Sequence, residues 1–372
     1  MQTKGALIWD IGTKSGWSVE ELELDPPKDG EVLVQLSAAG LCHSDYHYDA
    51  GDGFLEFSPL LGGHEGAGTV LEVGKEVTRI KPGQKVITTF MPSCGRCHYC
   101  VVGLSNLCDR GAGLMQGKSL DGTNRIHARG KPVGPMTYTG TFSQYIVCPE
   151  DSLVVFDDDI PMPVAAIAGC GVPTGFGTAV NIAGVEIGDT VVVVGTGGVG
   201  MNAVQGARVA GAQTIVAVDP VAWKRERSFE FGATHTAPSV DEAFDLVQEL
   251  TKGVMAERVV LTMGVVDGLL IDPILNLVAK AGTLGIGGVS RMDQQVANFS
   301  IFPFVMMQKQ IRGGLYGGCN PQVDIPMLLN LYRKGILKLD EMITRTYRIE
   351  DINEGYKDME EGRNLRGVVV YD

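Results

Sequence analysis

The sequence predicts an α/β protein in which a barrel-like β domain is followed by a doubly wound parallel sheet. Up to about residue 170, short apolar segments alternate with glycine and proline turns, a spacing typical of β-barrels. From about residue 175, strand-like segments alternate with helical ones, which is the pattern of parallel α/β folds. The length of 372 residues also fits about two domains.

Short β-strands account for the first domain. The clearest candidates are residues 31–36 (EVLVQL), 68–73 (GTVLEV) and 85–89 (KVITT). The third candidate follows a turn at residues 81–83 (KPG), and such residues mark the ends of strands. Closely spaced short strands of this kind predict a barrel-like arrangement.

The second domain begins where a strand-like segment is followed by glycines and then by a helical stretch. Its predicted elements are strands at residues 190–194 (TVVVV), 214–218, 258–263 and 282–287, with a helix at 201–210. After about residue 315 the pattern becomes mixed, and the chain closes with a strand-like segment at 367–371. We expect this C-terminal part to return to the first domain.

Composition restricts the class of partner and the compartment. The formal net charge of −13 argues against nucleic acid or an anionic membrane as the main partner. Residues 160–185 form the longest uncharged run, but its prolines and glycines are incompatible with a membrane helix. Because the N-terminal segment lacks the apolar core of a signal peptide, we expect a cytoplasmic protein with reduced thiols.

Four cysteines within fifteen residues form the most informative motif of the chain. They are Cys94, Cys97, Cys100 and Cys108, with the spacing C-x2-C-x2-C-x7-C. Thiolates this close suit a tetrahedral soft metal, and closed four-cysteine sites usually hold structural zinc. A ferredoxin-type iron–sulfur cluster is an alternative, although its last gap is three residues and a proline follows. Disulfides are the other alternative, less expected in a large cytosolic protein.

A dinucleotide-binding fingerprint follows the first strand of the second domain. The motif G-x-G-x-x-G is matched by Gly195, Thr196, Gly197, Gly198, Val199 and Gly200. Such glycines permit a tight turn and let the backbone meet a pyrophosphate at the helix N-terminus. Asp219 ends the next strand, where an acid accepts hydrogen bonds from the adenosine ribose. Its charge favours NAD over NADP, a preference that the nearby Lys224 and Arg225 weaken.

A second metal site is a candidate only when distant residues are combined. Cys42, His64 and Cys170 supply two thiols and one imidazole, a ligand set that leaves a fourth zinc position open. Because these residues are widely separated in the chain, their spacing alone is weak evidence for a metal site. A cysteine in an apolar run such as Cys170 is, taken alone, more often part of a hydrophobic core.

Taken together, these segments resemble the zinc-dependent medium-chain alcohol dehydrogenases. The resemblance rests on CHSD at residues 42–45, GHEGAG at 63–68, the four-cysteine segment, GCGVPTGFG at 169–177, GTGGVG at 195–200 and GLYGG at 314–318. It implies a GroES-like β-barrel catalytic domain over residues 1–173, completed by residues 315–372. It also implies a Rossmann NAD-binding domain with a doubly wound parallel sheet over residues 174–314.

The resemblance also implies a role for individual residues. Cys42, His64 and Cys170 match the catalytic zinc ligands, and Cys94, Cys97, Cys100 and Cys108 match the structural zinc ligands, giving two zinc ions per subunit. Asp45 and Glu65 match acids beside the catalytic metal, and Ser44 and His47 match a proton relay. His43, Thr174, Gly195, Gly197, Gly198, Val199, Gly200, Asp219, Lys224 and Arg366 match positions that contact NAD.

The implied reaction is the reversible oxidation of a primary alcohol to an aldehyde by hydride transfer to NAD. The pattern is most similar to actinobacterial nicotinoprotein alcohol dehydrogenases, which use the acceptor N,N-dimethyl-4-nitrosoaniline. This similarity implies tightly bound NAD that an external carrier such as mycofactocin reoxidises. An enzyme with exchangeable NAD is the first alternative, including a glutathione-dependent formaldehyde dehydrogenase. Ala112 argues against the glutathione-dependent branch, because that branch has a basic residue at this position shortly after the fourth cysteine. A non-catalytic relative is the second alternative.

We also expect a homo-oligomer built partly on an edge strand near residues 300–315.

Overall fold

The computed structural model describes residues 1–53 and 57–372, which divide into two compact units. The first unit comprises Met1–Cys170, Asn320–Gly335 and Leu339–Asp372, and the second comprises Gly171–Cys319 and Ile336–Lys338. Among the helices of the described residues, none is both long and apolar enough to cross a membrane.

The β-strands are β1 (Gln2–Ile8), β2 (Ser18–Leu24), β3 (Glu31–Gly40), β4 (Leu60–Leu61), β5 (Glu65–Val73), β6 (Lys85–Thr88), β7 (Ile126–Ala128), β8 (Lys131–Pro135), β9 (Tyr145–Pro149), β10 (Leu153–Phe156), β11 (Thr190–Val194), β12 (Thr214–Val218), β13 (His235–Ala237), β14 (Ala256–Leu261), β15 (Val278–Ile286), β16 (Gln310–Gly313), β17 (Ile343–Tyr347) and β18 (Arg366–Val370). Most strands of the first unit are short, whereas β3 and β5 are longer, with 10 and 9 residues.

The α-helices are α1 (His43–Ala50), α2 (His98–Val101), α3 (Met162–Ile167), α4 (Gly171–Gly177), α5 (Gly198–Ala210), α6 (Ala222–Phe231), α7 (Val240–Leu250), α8 (Ile271–Asn276), α9 (Ile301–Met306), α10 (Pro321–Arg333) and α11 (Ile352–Glu360). A π-helical turn at Thr178–Ala183 continues α4, and several 3-10 segments, including one of eight residues at Asp109–Gln116, connect the other elements.

The first unit combines a closed barrel with a second sheet. The barrel has the strand order β1-β2-β7-β8-β4, and the sheet has the order β10-β6-β5-β3-β18-β17, with β9 also pairing with β3. Strand β18 runs antiparallel to β3, with Val368 opposite Gly40. The C-terminal strand therefore lies beside the strand that leads into helix α1, which positions the residues of both around one site.

An aromatic cluster holds the first unit together next to that site. The ring of Trp17 lies edge-on to Phe142 at a centroid distance of 5.2 Å and stacks on Tyr356 at 5.5 Å. All three side chains are buried, and such pairs contribute about 0.5–1.5 kcal/mol each beyond their area burial. The cluster fixes helix α11, which carries Tyr356, against the barrel.

The second unit is built on a parallel sheet with the order β13-β12-β11-β14-β15-β16. Strand β11 is central and its valines are almost completely buried, as expected for a strand covered on both faces. The strand order reverses between β11 and β14, a switch point where α/β folds bind ligands at the carboxyl ends of the strands. The predicted doubly wound parallel sheet is confirmed.

Candidate active site

Helix α1 begins at a predicted metal ligand. Cys42 is its N-cap residue and has extended backbone angles (φ −129°, ψ 151°). The carboxylate of Asp45, in the first turn, accepts a hydrogen bond from the backbone N–H of Cys42 at 3.2 Å. An acid in the first turn is favourable because it satisfies a free N–H and faces the positive end of the helix dipole. This local capping fixes the position of Cys42.

Asp45 also orients His64. Its side chain is completely buried, and its second carboxylate oxygen accepts from the backbone N–H of Gly63 at 3.0 Å and from Nδ1 of His64 at 3.1 Å. Nδ1 therefore carries the proton, and Nε2 is left as a lone-pair donor. Nε2 of His64 is buried and has no hydrogen-bond partner in residues 1–53 and 57–372.

The two thiols of the predicted site lie beside that imidazole. The Cys170 thiol donates to Cys42, which holds the pKa of Cys42 well below its usual range and raises the pKa of Cys170. Burial opposes charge on His64, but the Asp45 carboxylate and Cys42 outweigh it and raise the pKa of His64. The buried site thus favours a thiolate at Cys42 and the protonated form of the neighbouring His64.

These donor atoms fit a metal ion. One ligand atom each from Cys42, His64, Glu65 and Cys170 lies within 4.8 Å of the others, and all these residues are buried. A buried imidazole nitrogen without a partner is costly unless something occupies its lone pair. Two thiols and one imidazole are borderline-soft donors that select zinc over magnesium or calcium. The structure therefore brings together the three residues that the sequence left far apart.

Glu65 forms a buried ion pair with Arg366 at the edge of this group. Burial raises the pKa of Glu65 to about 7, although the Arg366 guanidinium counteracts the rise. Gly40 on β3 makes room for the pair, because a Cβ there would lie 2.0 Å from a carboxylate oxygen of Glu65. The carboxylate of Glu65 therefore lies beside the metal donors, and the guanidinium of Arg366 contacts that carboxylate.

The predicted proton-relay residues belong to the same helix. Oγ of Ser44 lies 3.7 Å from Sγ of Cys42, so the hydroxyl is next to the metal donors. His47 is buried one turn further along α1, and its Nδ1 lies 3.3 Å from a carboxylate oxygen of Asp52. The ring of His43 lies 6.5 Å from that of His47 between centroids. Helix α1 therefore carries both predicted relay residues and also His43, which was predicted to contact the cofactor.

The four-cysteine segment folds into a second donor cluster. Sγ atoms of Cys94, Cys97, Cys100 and Cys108 lie within 4.8 Å of one another. Cys97 caps the short helix α2, whose third residue is Cys100, and Cys108 follows a 3-10 turn at Ser105–Leu107. All eight cysteines of the chain are free thiols, so the cluster contains no disulfide.

The cysteines of this cluster differ in their acidity. Hydrogen bonding to the backbone at Asp109 and Cys100 lowers the pKa of Cys97 to about 6, whereas burial raises the pKa of Cys108 to about 12. The backbone N–H of Cys97 points at Sγ of Cys94 at 3.4 Å. His98 is exposed and lies outside the donor group, so four thiols form a closed set suited to structural zinc.

The predicted nucleotide-binding loop connects β11 to α5 in the second unit. Gly195 adopts a left-handed backbone (φ 89°), and a Cβ on Gly200 would lie 1.8 Å from the Gly195 carbonyl oxygen. A Cβ on Gly197, the N-cap of α5, would meet no protein atom within 4 Å. The loop is therefore closed internally and open on the side that faces the helix N-terminus, as a pyrophosphate cradle requires.

The remaining predicted cofactor residues of the second unit surround that loop or precede it. Asp219 follows β12 and is buried, and its two carboxylate oxygens accept from the backbone N–H groups of Thr196 and Val221, each at 2.9 Å. Lys224 on α6 is half-buried, and desolvation lowers its pKa. Thr174 on α4 is also buried, and its carbonyl oxygen accepts from Thr178. Asp219 thus links the glycine loop to the segment that follows β12.

Sequence reasoning missed two residues of the first unit that shape the site. Asp52 contacts His47, and Gly40 leaves space for the buried ion pair of Glu65 with Arg366. The signal for Asp52 is its position two residues after the end of α1, where a chain reversal returns side chains to the last turn. Gly40 gives no such signal, because the close approach involves β5 and β18.

Comparison with known proteins agrees with this geometry. Residues 28–158 match the family model described as an alcohol dehydrogenase GroES-like domain. Residues 198–334 match the model described as a zinc-binding dehydrogenase.

Full-length relatives carry the same family name. The chain is 48% identical over 372 residues to alcohol dehydrogenase B of Mycobacterium tuberculosis, covering 100% of this chain and 99% of the relative. It is 46% identical over 371 residues to the NDMA-dependent alcohol dehydrogenase of Amycolatopsis methanolica, with the same coverage. A solved structure, an alcohol dehydrogenase zinc-binding domain protein from Burkholderia ambifaria, superposes with a TM-score of 0.92 at 29% identity, covering 100% of this chain and 99% of that one.

The chain therefore belongs to the zinc-binding, medium-chain alcohol dehydrogenase family. It is an oxidoreductase of a zinc-binding family that uses a nicotinamide dinucleotide as cofactor. The α/β fold with a GroES-like domain and a Rossmann-type parallel sheet, expected from the sequence, is confirmed.

Proposed function

We propose that this enzyme oxidises primary alcohols to aldehydes, reversibly, at a zinc ion held by Cys42, His64 and Cys170. The supporting observation is the buried group of donor atoms in which two thiols and the imidazole of His64 lie within 4.8 Å of one another. When bound, zinc supplies the Lewis acidity that favours loss of the alcohol proton, and NAD supplies the hydride acceptor. Three protein ligands leave a position open for substrate.

The protein's own part in the reaction includes removal of the hydroxyl proton. Ser44 Oγ, beside Cys42, receives the proton from the alcohol, and His47 takes it onward. His47 is suited to this step because histidine changes charge near neutral pH and its Nε2 is buried without a partner in the described chain. Asp45 keeps the imidazole of His64 in the tautomer that offers Nε2 to the metal.

Glu65 and Arg366 set the electrostatic environment of the metal donors. Their ion pair is buried, so neither charge is screened by bulk water. We assign Arg366, together with His43, to contacts with cofactor phosphate or ribose groups. In this arrangement the guanidinium balances the carboxylate of Glu65 while its remaining N–H groups face a ligand.

NAD binds along the glycine loop of the second unit in this proposal. The backbone from Gly195 to Gly200 receives the pyrophosphate at the N-terminus of α5, and Asp219 accepts from the adenosine ribose. The buried carboxylate of Asp219 would repel a 2′-phosphate, which favours NAD over NADP. We assign Lys224 to the ribose position and Thr174 to the nicotinamide.

We further propose that NAD remains bound through turnover and that an external carrier, mycofactocin or a chemically similar redox carrier, reoxidises it. The 46% identity over the full chain to an enzyme named NDMA-dependent supports this assignment. The thiols of the four-cysteine lobe, defined as residues 94–108, need reducing conditions to hold zinc, which supports our assignment of the protein to the cytoplasm.

Nucleotide retention tests the bound cofactor. The purified protein is desalted thoroughly and denatured, and NAD(H) released per subunit is measured beside the total zinc content. We expect near one equivalent of nucleotide and two of zinc. Gly200→Ala is the matched control, because its Cβ would collide with the loop and should empty the site. Wild-type protein that releases little nucleotide would instead be an ordinary dehydrogenase with exchangeable NAD.

Removal of one metal ligand tests whether the chain is catalytic at all. Cys42→Ala should nearly abolish alcohol oxidation, because the remaining His64 and Cys170 cannot hold zinc in an open tetrahedral site. Circular dichroism and the zinc content of the four-cysteine lobe control for folding. Full turnover by this variant would support a non-catalytic role for the site.

We propose that the protein forms a homo-oligomer through helix α9 and the edge strand β16. Phe302 and Met306 on α9 are 76% and 69% exposed, and β16 ends the parallel sheet. An exposed edge next to large apolar side chains is suited to pairing with a second copy. Phe302→Asp should lower the molecular mass seen by light scattering, whereas Ile187→Asp, a change at another exposed apolar residue of the same unit, should not.

A further inference from the structure

His47 and Asp52 form a closed local structure at the C-terminus of α1. Gly51 ends the helix in the left-handed region (φ 83°), which reverses the chain. The backbone N–H groups of Asp52 and Gly53 then both donate to the carbonyl oxygen of His47, at 2.9 and 3.1 Å. Because the backbone of Asp52 is fixed on His47, its side chain returns to the same residue.

The contact between the side chains of Asp52 and His47 determines which ring nitrogen of His47 carries the proton. A carboxylate oxygen of Asp52 lies 3.3 Å from Nδ1 of His47, and the two side chains are 14% and 9% exposed. A carboxylate only accepts hydrogen bonds, so the neutral imidazole must carry its proton on Nδ1. Nε2 is then the free acceptor, and it is buried without a hydrogen-bond partner in the described part of the chain.

We propose that Asp52 is a positioning residue that, with His47, forms an aspartate–histidine dyad. Asp52 fixes the tautomer with Nε2 unprotonated, so that Nε2 of His47 can accept a proton. When it does so, the Nδ1 proton stays shared with Asp52, and the positive charge of the imidazolium lies beside the carboxylate. The imidazolium then gives one proton to water, which restores the neutral tautomer for the next turnover. The proposal deepens the relay described above and rests on that proposed function for its catalytic consequence.

The tautomer of His47 tests the proposal directly. In protein labelled with 15N-histidine and kept at alkaline pH, the ring-nitrogen shifts report which nitrogen carries the proton. His47→Gln assigns the signal among the six histidines. We expect the Nδ1-protonated form in the wild type and a change of roughly tenfold or more in the tautomer ratio in Asp52→Asn, because an amide can also donate to Nδ1.

A matched control separates this effect from the loss of a charge. Asp10→Asn removes a carboxylate from an exposed residue of the same unit and should leave the tautomer unchanged. Asp52→Asn keeps the backbone bonds to the His47 carbonyl, so circular dichroism and zinc content should match the wild type. A wild-type His47 protonated on Nε2, or an unchanged ratio in Asp52→Asn, overturns the dyad.

Turnover distinguishes failure of the dyad from failure of the relay. If the relay operates, His47→Gln should lower kcat for alcohol oxidation by about 100-fold or more, and Asp52→Asn by about tenfold with KM little changed. If His47→Gln leaves kcat unchanged while the tautomer shift is seen, the relay is wrong and the dyad stands as a structural finding.

Discussion

Replacing Asp45 by asparagine should weaken zinc binding at Cys42, His64 and Cys170 while leaving the four-cysteine lobe intact. The Asp45 carboxylate is completely buried and accepts three hydrogen bonds, from the backbone of Cys42 at 3.2 Å and of Gly63 at 3.0 Å, and from Nδ1 of His64 at 3.1 Å. Asparagine offers one oxygen, so an amide N–H would face at least one of these donors.

The magnitude follows from the bond to His64. Losing a partner that orients a metal-ligating histidine costs about 10–100-fold in metal affinity, or about 1.4–2.8 kcal/mol. A hydrogen bond to a buried charged group independently contributes about 1.5–3 kcal/mol. Because the estimate from metal affinity and the estimate from the hydrogen bond give a similar range, we expect the zinc dissociation constant at this site to rise about 10–100-fold.

Competition with a chromophoric chelator measures the affinity, and the four-cysteine lobe serves as the internal standard. Asp49→Asn is the matched variant, since Asp49 is a buried aspartate of the same helix whose carboxylate accepts from Gly16 at 3.0 Å and belongs to neither donor group. Unchanged affinity in Asp45→Asn, or an equal loss in Asp49→Asn, would refute the orienting role of Asp45.

Three further predictions concern the lobe, the nucleotide loop and the core. Cys108→Ser should release about one zinc per subunit and lower Tm, because three thiolates no longer close the site; metal analysis that still finds two zinc ions contradicts this. Gly200→Ala should abolish NAD retention, since its Cβ would lie 1.8 Å from the carbonyl oxygen of Gly195. Gly197→Ala should fold normally and lose NAD affinity only through contact with the ligand, which a fluorescence titration detects. Arg125→Met should lower the free energy of unfolding by about 3–5 kcal/mol in urea, because Glu31 stays buried without its partner at 2.7 Å; a loss below about 1 kcal/mol would argue against this.

Local motifs of the chain were predictable because their residues are close in sequence. The lobe cysteines lie within fifteen residues, and the structure brings their sulfur atoms within 4.8 Å of one another. The glycine loop stands between a strand and a helix as its motif requires. In both segments the backbone between the functional residues is too short to separate them, so their spacing in the sequence is enough to predict that they lie close together.

The metal group of the first unit was not predictable from spacing, because its assembly depends on strand pairing. Cys42 follows β3 and His64 precedes β5, and these two strands pair antiparallel with Gly40 opposite Glu65. That register brings the two ligands to the same end of the sheet. Neither the register nor the return of Arg366 on β18 is encoded by a local pattern, so only resemblance to a family pointed to the site.

Helix α1 connects the two buried histidines of the first unit. At its N-terminus Asp45 contacts Nδ1 of His64, and just beyond its C-terminus Asp52 contacts Nδ1 of His47. In each case a carboxylate holds the proton on Nδ1 and leaves Nε2 without a partner in the described residues. The same arrangement offers one lone pair to a metal and the other to a proton. Because Asp45 lies in the first turn of α1 and Asp52 lies just beyond its last residue, a change that frays α1 should impair zinc binding and proton transfer together, whereas a change at either carboxylate should impair one of them.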